Sequence, residues 1–110
     1  LYMNSPLTPY WCYTEFFTNN TIDLTNYKYA KCQVTLSSTA ILKFQFVASS
    51  AKNISGTLAS YVETSTVGDD IILSFDVSAV NSAKYIGFIC RWEASNNFQT
   101  TATIKKVWLE

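Results

Sequence analysis

The sequence contains no histidine, few glycines and prolines, and no excess of charge of either sign. Without histidine, a serine-type acyl-transfer triad lacks its base and a His-based zinc site is excluded. Lys plus Arg and Asp plus Glu number 8 each, so the formal net charge is zero. Binding to nucleic acid, or to an anionic lipid surface, normally requires a basic excess or patch. The composition therefore predicts neither of these as the partner.

Long apolar runs and metal-binding motifs are also missing. No stretch approaches the roughly 18 apolar residues of a transmembrane helix, so we expect no membrane insertion. Asp69-Asp70 and Glu15 offer oxygen ligands, but no spaced calcium loop surrounds them. A glycosidase needs two carboxylates facing one cleft, and only Asp76 and Glu93 are candidates to share a surface. We therefore predict no enzyme activity, no metal and no cofactor.

The sequence has three cysteines, Cys12, Cys32 and Cys90. An odd number argues against a disulfide framework, and no CxxC spacing suggests metal binding. Each cysteine falls on the apolar phase of its predicted strand. We expect three buried free thiols, with one disulfide plus a free thiol as the alternative.

The chain of 110 residues is 48% hydrophobic and 15% aromatic. Thr, Ser, Val, Ile, Phe and Tyr dominate, which favours strands, and no apolar stripe of helical period is sustained. We find no repeat or charge block, so we predict a single domain over residues 1–110. The start at Leu1 and the missing signal segment suggest a piece of a longer polypeptide, whose other domains would be partners. Oligomerisation is left open.

The last forty residues carry the clearest pattern, and it predicts three strands. Ile71, Leu73 and Phe75 alternate with a second set of residues, Ile72, Ser74 and Asp76, as expected for a strand with one face in a core and the other toward water. A second strand follows over residues 85–92, and a third over 103–110. In the third, Lys105-Lys106 interrupts the alternation by one residue, which predicts a β-bulge that returns the apolar residues to the core side.

The first part of the chain reads as further short strands at residues 10–17, 22–27, 28–37, 40–48 and 57–64. About eight strands at this spacing predict an all-β fold, an antiparallel two-sheet β-sandwich of jelly-roll type. The predicted core consists of large apolar residues on the inward phase: Val34, Leu42, Phe44, Phe46, Leu73, Phe75, Ile86 and Phe88.

The runs Ile72–Ser78, Tyr85–Phe88 and Lys106–Glu110, with Thr21–Lys28 upstream, resemble a known family. They are similar to the carbohydrate-binding jelly-roll modules of phage tail, baseplate and receptor-binding proteins. Residues 1–20 depart from that pattern, because the modules usually open with a longer Gly- and Trp-containing segment. The resemblance implies a non-catalytic domain that binds glycans on a host cell surface. It also implies a location on the virion surface, in a tail or baseplate, or outside the cell.

Sugar binding in water uses flat aromatic rings together with planar polar side chains. The end of the second strand and the loop after it supply both types within eight residues: Arg91, Trp92, Glu93, Asn96, Asn97 and Phe98. Strand phase equally allows Trp92 to lie in the core with Phe88 and Cys90. The sequence therefore predicts a glycan site here and leaves the role of Trp92 open.

Trp11 and Tyr13 lie on the strand face opposite Cys12. If Cys12 is buried, both rings form a stacking platform; the alternative is that Trp11 packs under the N-terminal segment. Two neighbouring strands are expected to carry a second set of outward residues: Tyr29, Lys31, Gln33, Lys43 and Gln45. This set would form a polar groove for an extended glycan, but more often such a set is simply a solvated sheet face. Trp108 is expected to pack near the chain end.

Two functional classes remain. The first is a glycan-binding module. The second is a structural or oligomerising β-domain of a viral or cell-surface assembly that contacts protein only. Exposed Trp and Tyr rings with polar neighbours favour the first class, and burial of the same rings against another subunit favours the second.

Overall fold

A computed structural model describes residues 2–4, 11–36, 41–53, 58–93 and 99–110, with side chains for residues 15–36, 43–53, 58–90 and 102–110. These residues form nine strands: β1 (Tyr2–Asn4), β2 (Trp11–Phe17), β3 (Ile22–Asp23), β4 (Tyr29–Leu36), β5 (Ile41–Ser49), β6 (Leu58–Thr64), β7 (Gly68–Asp76), β8 (Ala83–Glu93) and β9 (Gln99–Leu109). No helix long and apolar enough to cross a membrane occurs in the described ranges.

The strands pair antiparallel in two sheets. The first, which we call the β4 sheet, has the order β1-β9-β4-β7. The second, the β8 sheet, has the order β2-β8-β5-β6, with the short β3 added to β8. With β3 set aside, this order is that of an eight-stranded jelly roll, in which consecutive strands lie in different sheets except for the β5–β6 hairpin. The predicted all-β sandwich is confirmed.

The core lies between the sheets and is built from alternate residues of each strand. β4 shows the pattern most clearly, because Ala30, Cys32, Val34 and Leu36 are buried and the residues between them are half-exposed. The predicted core residues are confirmed as one cluster, apart from Leu42, whose side chain lies outside the described set.

Aromatic rings connect the two sheets at the centre of this core. The ring of Phe46, on β5, meets the edge of Phe75, on β7 of the other sheet, with centroids 4.9 Å apart. Phe46 also stacks on Phe88 at 5.2 Å, and Phe44 contacts Phe88 at 5.8 Å. These contacts lie in the range of favourable aromatic pairing.

The β-bulge predicted at Lys105-Lys106 is confirmed by the register of β9 against β4. Gln33 pairs with Lys106, but the next residue, Val34, pairs with Ile104. The extra residue on β9 returns Val107 to the same side as Ile104, opposite the buried Cys32. Lys105 forms an ion pair with Asp70 of β7.

Two expectations about outward residues are wrong. Tyr29, Lys31 and Gln33 were expected to form one surface with Lys43 and Gln45, but β4 and β5 belong to different sheets. Their outward faces therefore lie on opposite sides of the sandwich. In addition, Gln45 and Val47 alternate with the core residues as expected, yet both are buried, because the outer side of β5 is itself covered.

The cysteine expectation is confirmed for Cys32 and Cys90, which are buried free thiols in the main core. Burial raises the pKa of each thiol to about 12. The side chain of Cys12 lies outside the described set, so its state stays a prediction.

We predict that Phe75→Ala lowers the free energy of unfolding by about 3–5 kcal/mol, the usual cost of a cavity left by a large aromatic side chain. Ile72→Ala on the same strand is the control, because Ile72 is 52% exposed and points away from the core. Urea unfolding measures both variants. Equal losses for the two would contradict the assignment of Phe75 to the bridge between the sheets.

We predict that Cys32 and Cys90 resist alkylation in the native protein at about pH 8 and react after denaturation, because burial keeps both protonated.

The raised pKa values of the native thiols also mean that, as pH rises, the unfolded chain loses these protons before the native protein does. Stability should therefore fall as pH rises from about 9 to about 12.

Mass spectrometry of the unreduced, denatured and alkylated chain should find three labels. A single label would show that two of the cysteines are paired.

Candidate functional site

The predicted site residues on β2 and β8 are brought together by strand register. Trp11 pairs with Glu93, and Tyr13 pairs with Arg91. Directly paired positions on antiparallel strands share a face, and alternate positions return to it. Trp11, Tyr13, Arg91 and Glu93 therefore occupy positions on one face of the β8 sheet, although their side chains lie outside the described set. Asn96, Asn97 and Phe98 lie outside the described residues.

Trp92 occupies a position on the opposite face. It pairs with Cys12 and is in phase with Cys90 and Phe88, which are buried between the sheets. The backbone thus separates Trp92 from Arg91 and Glu93, and its side chain is not described. A role for Trp92 in binding stays a prediction.

The face that carries Arg91 is the side of the β8 sheet turned away from the β4 sheet, and we call it the outer face. Paired residues cross it in rows. The row of Tyr13 and Arg91 continues to Lys43 on β5. The next row runs from Glu15 through Ile89 and Gln45 to Glu63 on β6. The outer face therefore combines aromatic, cationic and carboxylate positions within neighbouring rows.

A small apolar cluster forms the floor of the outer face. Phe17, Val47 and Ile89 are buried there and pack with Leu58 and Tyr85. The ring of Phe17 lies directly over Gly87, where an added Cβ would come within 2.2 Å of the ring. Glycine at this position allows the close approach, so the cluster depends on residues from β2, β5 and β8 together.

The row that runs from Glu15 through Ile89 and Gln45 to Glu63 contains hydrogen-bonding groups with little solvent exposure. Gln45 is 7% exposed, and its Nε2 donates to Glu63 Oε2 at 3.0 Å. Lys43 Nζ binds the other carboxylate oxygen of Glu63 at 3.2 Å. This bridge fixes Glu63 between a cation and an amide.

Two buried oxygens in the same row have no hydrogen-bond donor within the described part of the chain: Gln45 Oε1 and Glu15 Oε2. A buried acceptor without a donor costs about 1–3 kcal/mol. Both oxygens lie on strands that flank Ile89.

A small polar cleft adjoins the row. Its volume is about 340 Å³, and it is lined by Lys43, Glu63, Thr64, Ser65 and Thr66. Hydroxyl, carboxylate and ammonium groups thus surround a space next to the Lys43–Glu63 bridge. The lining offers donors and acceptors to a hydroxylated ligand.

The carboxylate pair considered for catalysis does not form. Asp76 lies on β7 in the β4 sheet, whereas Glu93 lies on β8 in the other sheet. Asp76 Oδ1 accepts a 2.7 Å hydrogen bond from the backbone N–H of Ser78, and bonding to Ser78 lowers its pKa. A carboxyl held ionised in this way supports a turn, and it is the opposite of a poised general acid.

No group of three or more Cys, Asp or Glu side chains among the described residues is arranged to hold a metal ion. Asp69 and Asp70 lie where β7 bulges, and Asp70 has a φ of 54°. Asp70 pairs with Lys105, so its carboxylate already has a cationic partner.

One feature was missed from the sequence: an apolar cleft of about 720 Å³ at the open edge between the sheets. Residues of β2, β3, β8 and β9 line it, among them Phe16, Ile22 and Trp108. The adjacent pair Phe16-Phe17 was the available signal, because neighbouring strand residues point to opposite faces. One ring therefore covers the outer face and the other lines this cleft. The expectation that Trp108 packs near the chain end agrees with its half-buried position here.

In the comparisons with known proteins, no family model, no curated protein and no solved structure matches this chain. The β2–β8 register places four predicted site residues at positions on the same face of the β8 sheet: Trp11, Tyr13, Arg91 and Glu93. The structure adds Lys43, Gln45, Glu15 and Glu63 to the same face.

We predict that Gly87→Ala lowers the free energy of unfolding by about 1–3 kcal/mol, because the new methyl group overlaps the Phe17 ring. Gly68→Ala is the control, since its Cβ would meet only Ile71 at an ordinary 3.6 Å. Thermal and urea unfolding measure both. Combining Gly87→Ala with Phe17→Ala should cost less than the sum of the two single changes, because the overlap is removed. Additive losses would contradict the stacked arrangement.

Proposed function

We propose that this domain is a non-catalytic glycan-binding module that recognises a host cell-surface polysaccharide through the outer face of the β8 sheet. The observation that carries the proposal is the β2–β8 register. It brings the positions of two aromatic residues, Trp11 and Tyr13, opposite those of two charged residues, Glu93 and Arg91. Aromatic rings beside multivalent polar groups are the combination that carbohydrate binding requires.

The described part of the outer face supplies suitable polar partners. Sugar hydroxyls both donate and accept hydrogen bonds. Lys43 and Glu63 add a cation and a carboxylate beside the small polar cleft. The mixed charges suit a ligand rich in hydroxyls better than one dominated by phosphate or sulfate.

The dimensions favour a chain-like ligand. A row that crosses β2, β8, β5 and β6 spans three strand spacings, about 14 Å. That length accommodates a short oligosaccharide segment. A shallow site of this kind binds in the high micromolar to millimolar range, about −4 to −6 kcal/mol, so several copies on one particle would be needed for firm attachment.

The resemblance to phage carbohydrate-binding modules supports the same proposal. It would put the domain on a virion surface, in a tail, baseplate or receptor-binding protein, or elsewhere outside the cell. Repeated copies on a particle would then provide the avidity that a weak single site lacks.

A glycan array on the isolated domain, followed by titration with a hit, tests the proposal. Tryptophan fluorescence should change on binding. Arg91→Ala, Asn96→Ala and Gln45→Leu should each weaken binding at least about tenfold, because each removes a hydrogen-bonding group from the proposed site. Gln33→Leu is the matched control, since Gln33 lies on the outward face of the other sheet.

Melting temperatures decide whether a loss of binding is local. The outer face is supported as the glycan site if the site variants lose binding while their melting temperatures stay unchanged and Gln33→Leu still binds. If the three site variants bind like the parent, the glycan site lies elsewhere. If no glycan is bound at millimolar concentration, the remaining class is the structural β-domain that contacts protein only.

A further inference from the structure

The outward side of the β4 sheet carries a cluster of rings and lysines that the proposed function does not use. Tyr29 and Lys31 lie on β4, and Trp108 of β9 is the direct cross-strand partner of Lys31. All three side chains are half-buried, and they alternate with residues such as Ala30 that face the core. We call this surface the Trp108 face and define it by Tyr29, Lys31, Lys106, Trp108 and Glu110.

Polar contacts orient the Trp108 ring. Its Nε1 donates a hydrogen bond to Glu110 Oε1 at 3.1 Å, and Lys31 Nζ lies 2.8 Å from Glu110 Oε2. Hydrogen bonds from Lys31 and Trp108 lower the pKa of Glu110, so the carboxylate stays ionised at neutral pH. Trp108 also borders the apolar cleft, but its indole N–H bonds to a residue of the Trp108 face. These contacts favour one ring orientation before a ligand binds.

Three ammonium groups lie close to the two rings of this face. Those of Lys28 and Lys31 are 5.3 Å and 5.6 Å from the centroid of the Tyr29 ring. That of Lys106 is 4.9 Å from the centroid of the Trp108 ring. Aromatic and cationic groups are therefore neighbours at two adjacent places on one surface.

Carboxylates near the rings are fewer than the lysines and already have partners. Glu110 binds Lys31, and Asp76, which is the cross-strand partner of Tyr29, accepts a hydrogen bond from the backbone N–H of Ser78. The three lysines and these two carboxylates leave one positive charge in excess. The Trp108 face thus has the charge to complement an anionic ligand.

We propose that the Trp108 face binds a saccharide that carries a carboxylate, such as a uronic acid within an acidic polysaccharide. A sugar of this kind offers an apolar C–H face to an aromatic ring and an anion, attached to the same sugar ring, to an ammonium group. Because Lys106 Nζ lies 4.9 Å from the centre of the Trp108 ring, one sugar can meet both groups. The inference does not rest on the glycan site proposed for the outer face, which lies on the other sheet.

The spacing along the end of β9 suits a short saccharide chain. Lys106, Trp108 and Glu110 are alternate residues, so the outer two positions are about 13 Å apart along the strand direction. That length accommodates a few sugar residues. An acidic peptide also offers carboxylates, but they are on flexible side chains and are not joined to a rigid apolar face, so ordering them costs more conformational entropy.

The tetramer of galacturonic acid is the probe, and isothermal titration calorimetry measures its binding to the full chain. We expect saturable binding with a Kd of about 0.1–1 mM that weakens as salt is raised. Two matched compounds are controls. The methyl-esterified tetramer keeps the sugar faces without the charge, and an end-blocked tetraglutamate keeps the carboxylates without the sugar faces. Each should bind at least about tenfold more weakly than the acid.

Protein variants locate the site. Lys106→Gln should weaken binding of the acid about fivefold or more, because a charge-assisted hydrogen bond is lost. Lys106 is exposed, so this change leaves the fold intact. Lys84→Gln is the matched control, because it removes the same charge from β8 in the other sheet. Trp108→Leu should weaken binding of the acid and of the ester alike, since it removes the stacking surface, and Trp108→Phe should restore part of it.

The proposal is overturned if the acid does not bind at about millimolar concentration, or if the ester or tetraglutamate binds equally well. Equal losses in Lys84→Gln and Lys106→Gln would also overturn it, because they would indicate non-specific attraction between charges. If Arg91→Ala abolishes binding and Lys106→Gln does not, the acidic sugar occupies the outer face of the β8 sheet. That result would overturn this inference and support the proposed function, so the two can fail separately.

Discussion

The contact on which this structure depends is the aromatic bridge between its sheets. Phe46 belongs to β5 in the β8 sheet, and it contacts both Phe75 of the other sheet and Phe88 of its own neighbour strand. Because most consecutive strands of this fold lie in different sheets, many of its contacts are long-range and form only when the sheets meet. The ring of Phe46 lies where the two sheets meet, between Phe75 and Phe88.

Strand β8 has two apolar faces over part of its length. On the inner face Phe88 and Cys90 join the main core, while on the outer face Ile89 packs with Phe17 and Val47. The outer cluster requires Gly87, because a larger residue would displace the Phe17 ring. Rigid support beneath a surface favours binding, since polar groups held by a packed scaffold lose less freedom when a ligand arrives. The polar row of Gln45 and Glu63 has this support.

The outer face and the apolar cleft lie on opposite sides of the β8 sheet and differ in chemistry. The outer face carries hydrogen-bonding groups and aromatic positions. The cleft is lined mainly by apolar side chains. Phe16 and Phe17 belong to one surface each, because adjacent residues of β2 face the cleft and the outer cluster.

The sequence by itself determined most of the strands, their inward faces and the bulge at Lys105-Lys106, because a period of two reports which side of each strand is apolar. It did not predict β1. It did not determine sheet membership. β4 and β5 are consecutive and both turn one side to the same core, so their alternation is the same whether they are neighbours or lie in opposite sheets. Only the tertiary structure decided that Gln33 and Gln45 lie on opposite sides of the sandwich. It also decided that Gln45 is buried, because Ile89 of β8 and Glu63 of β6 become its neighbours only when the three strands pair. The apolar cleft between the sheets is lined by residues of β2, β3, β8 and β9, which no local pattern of one strand brings together.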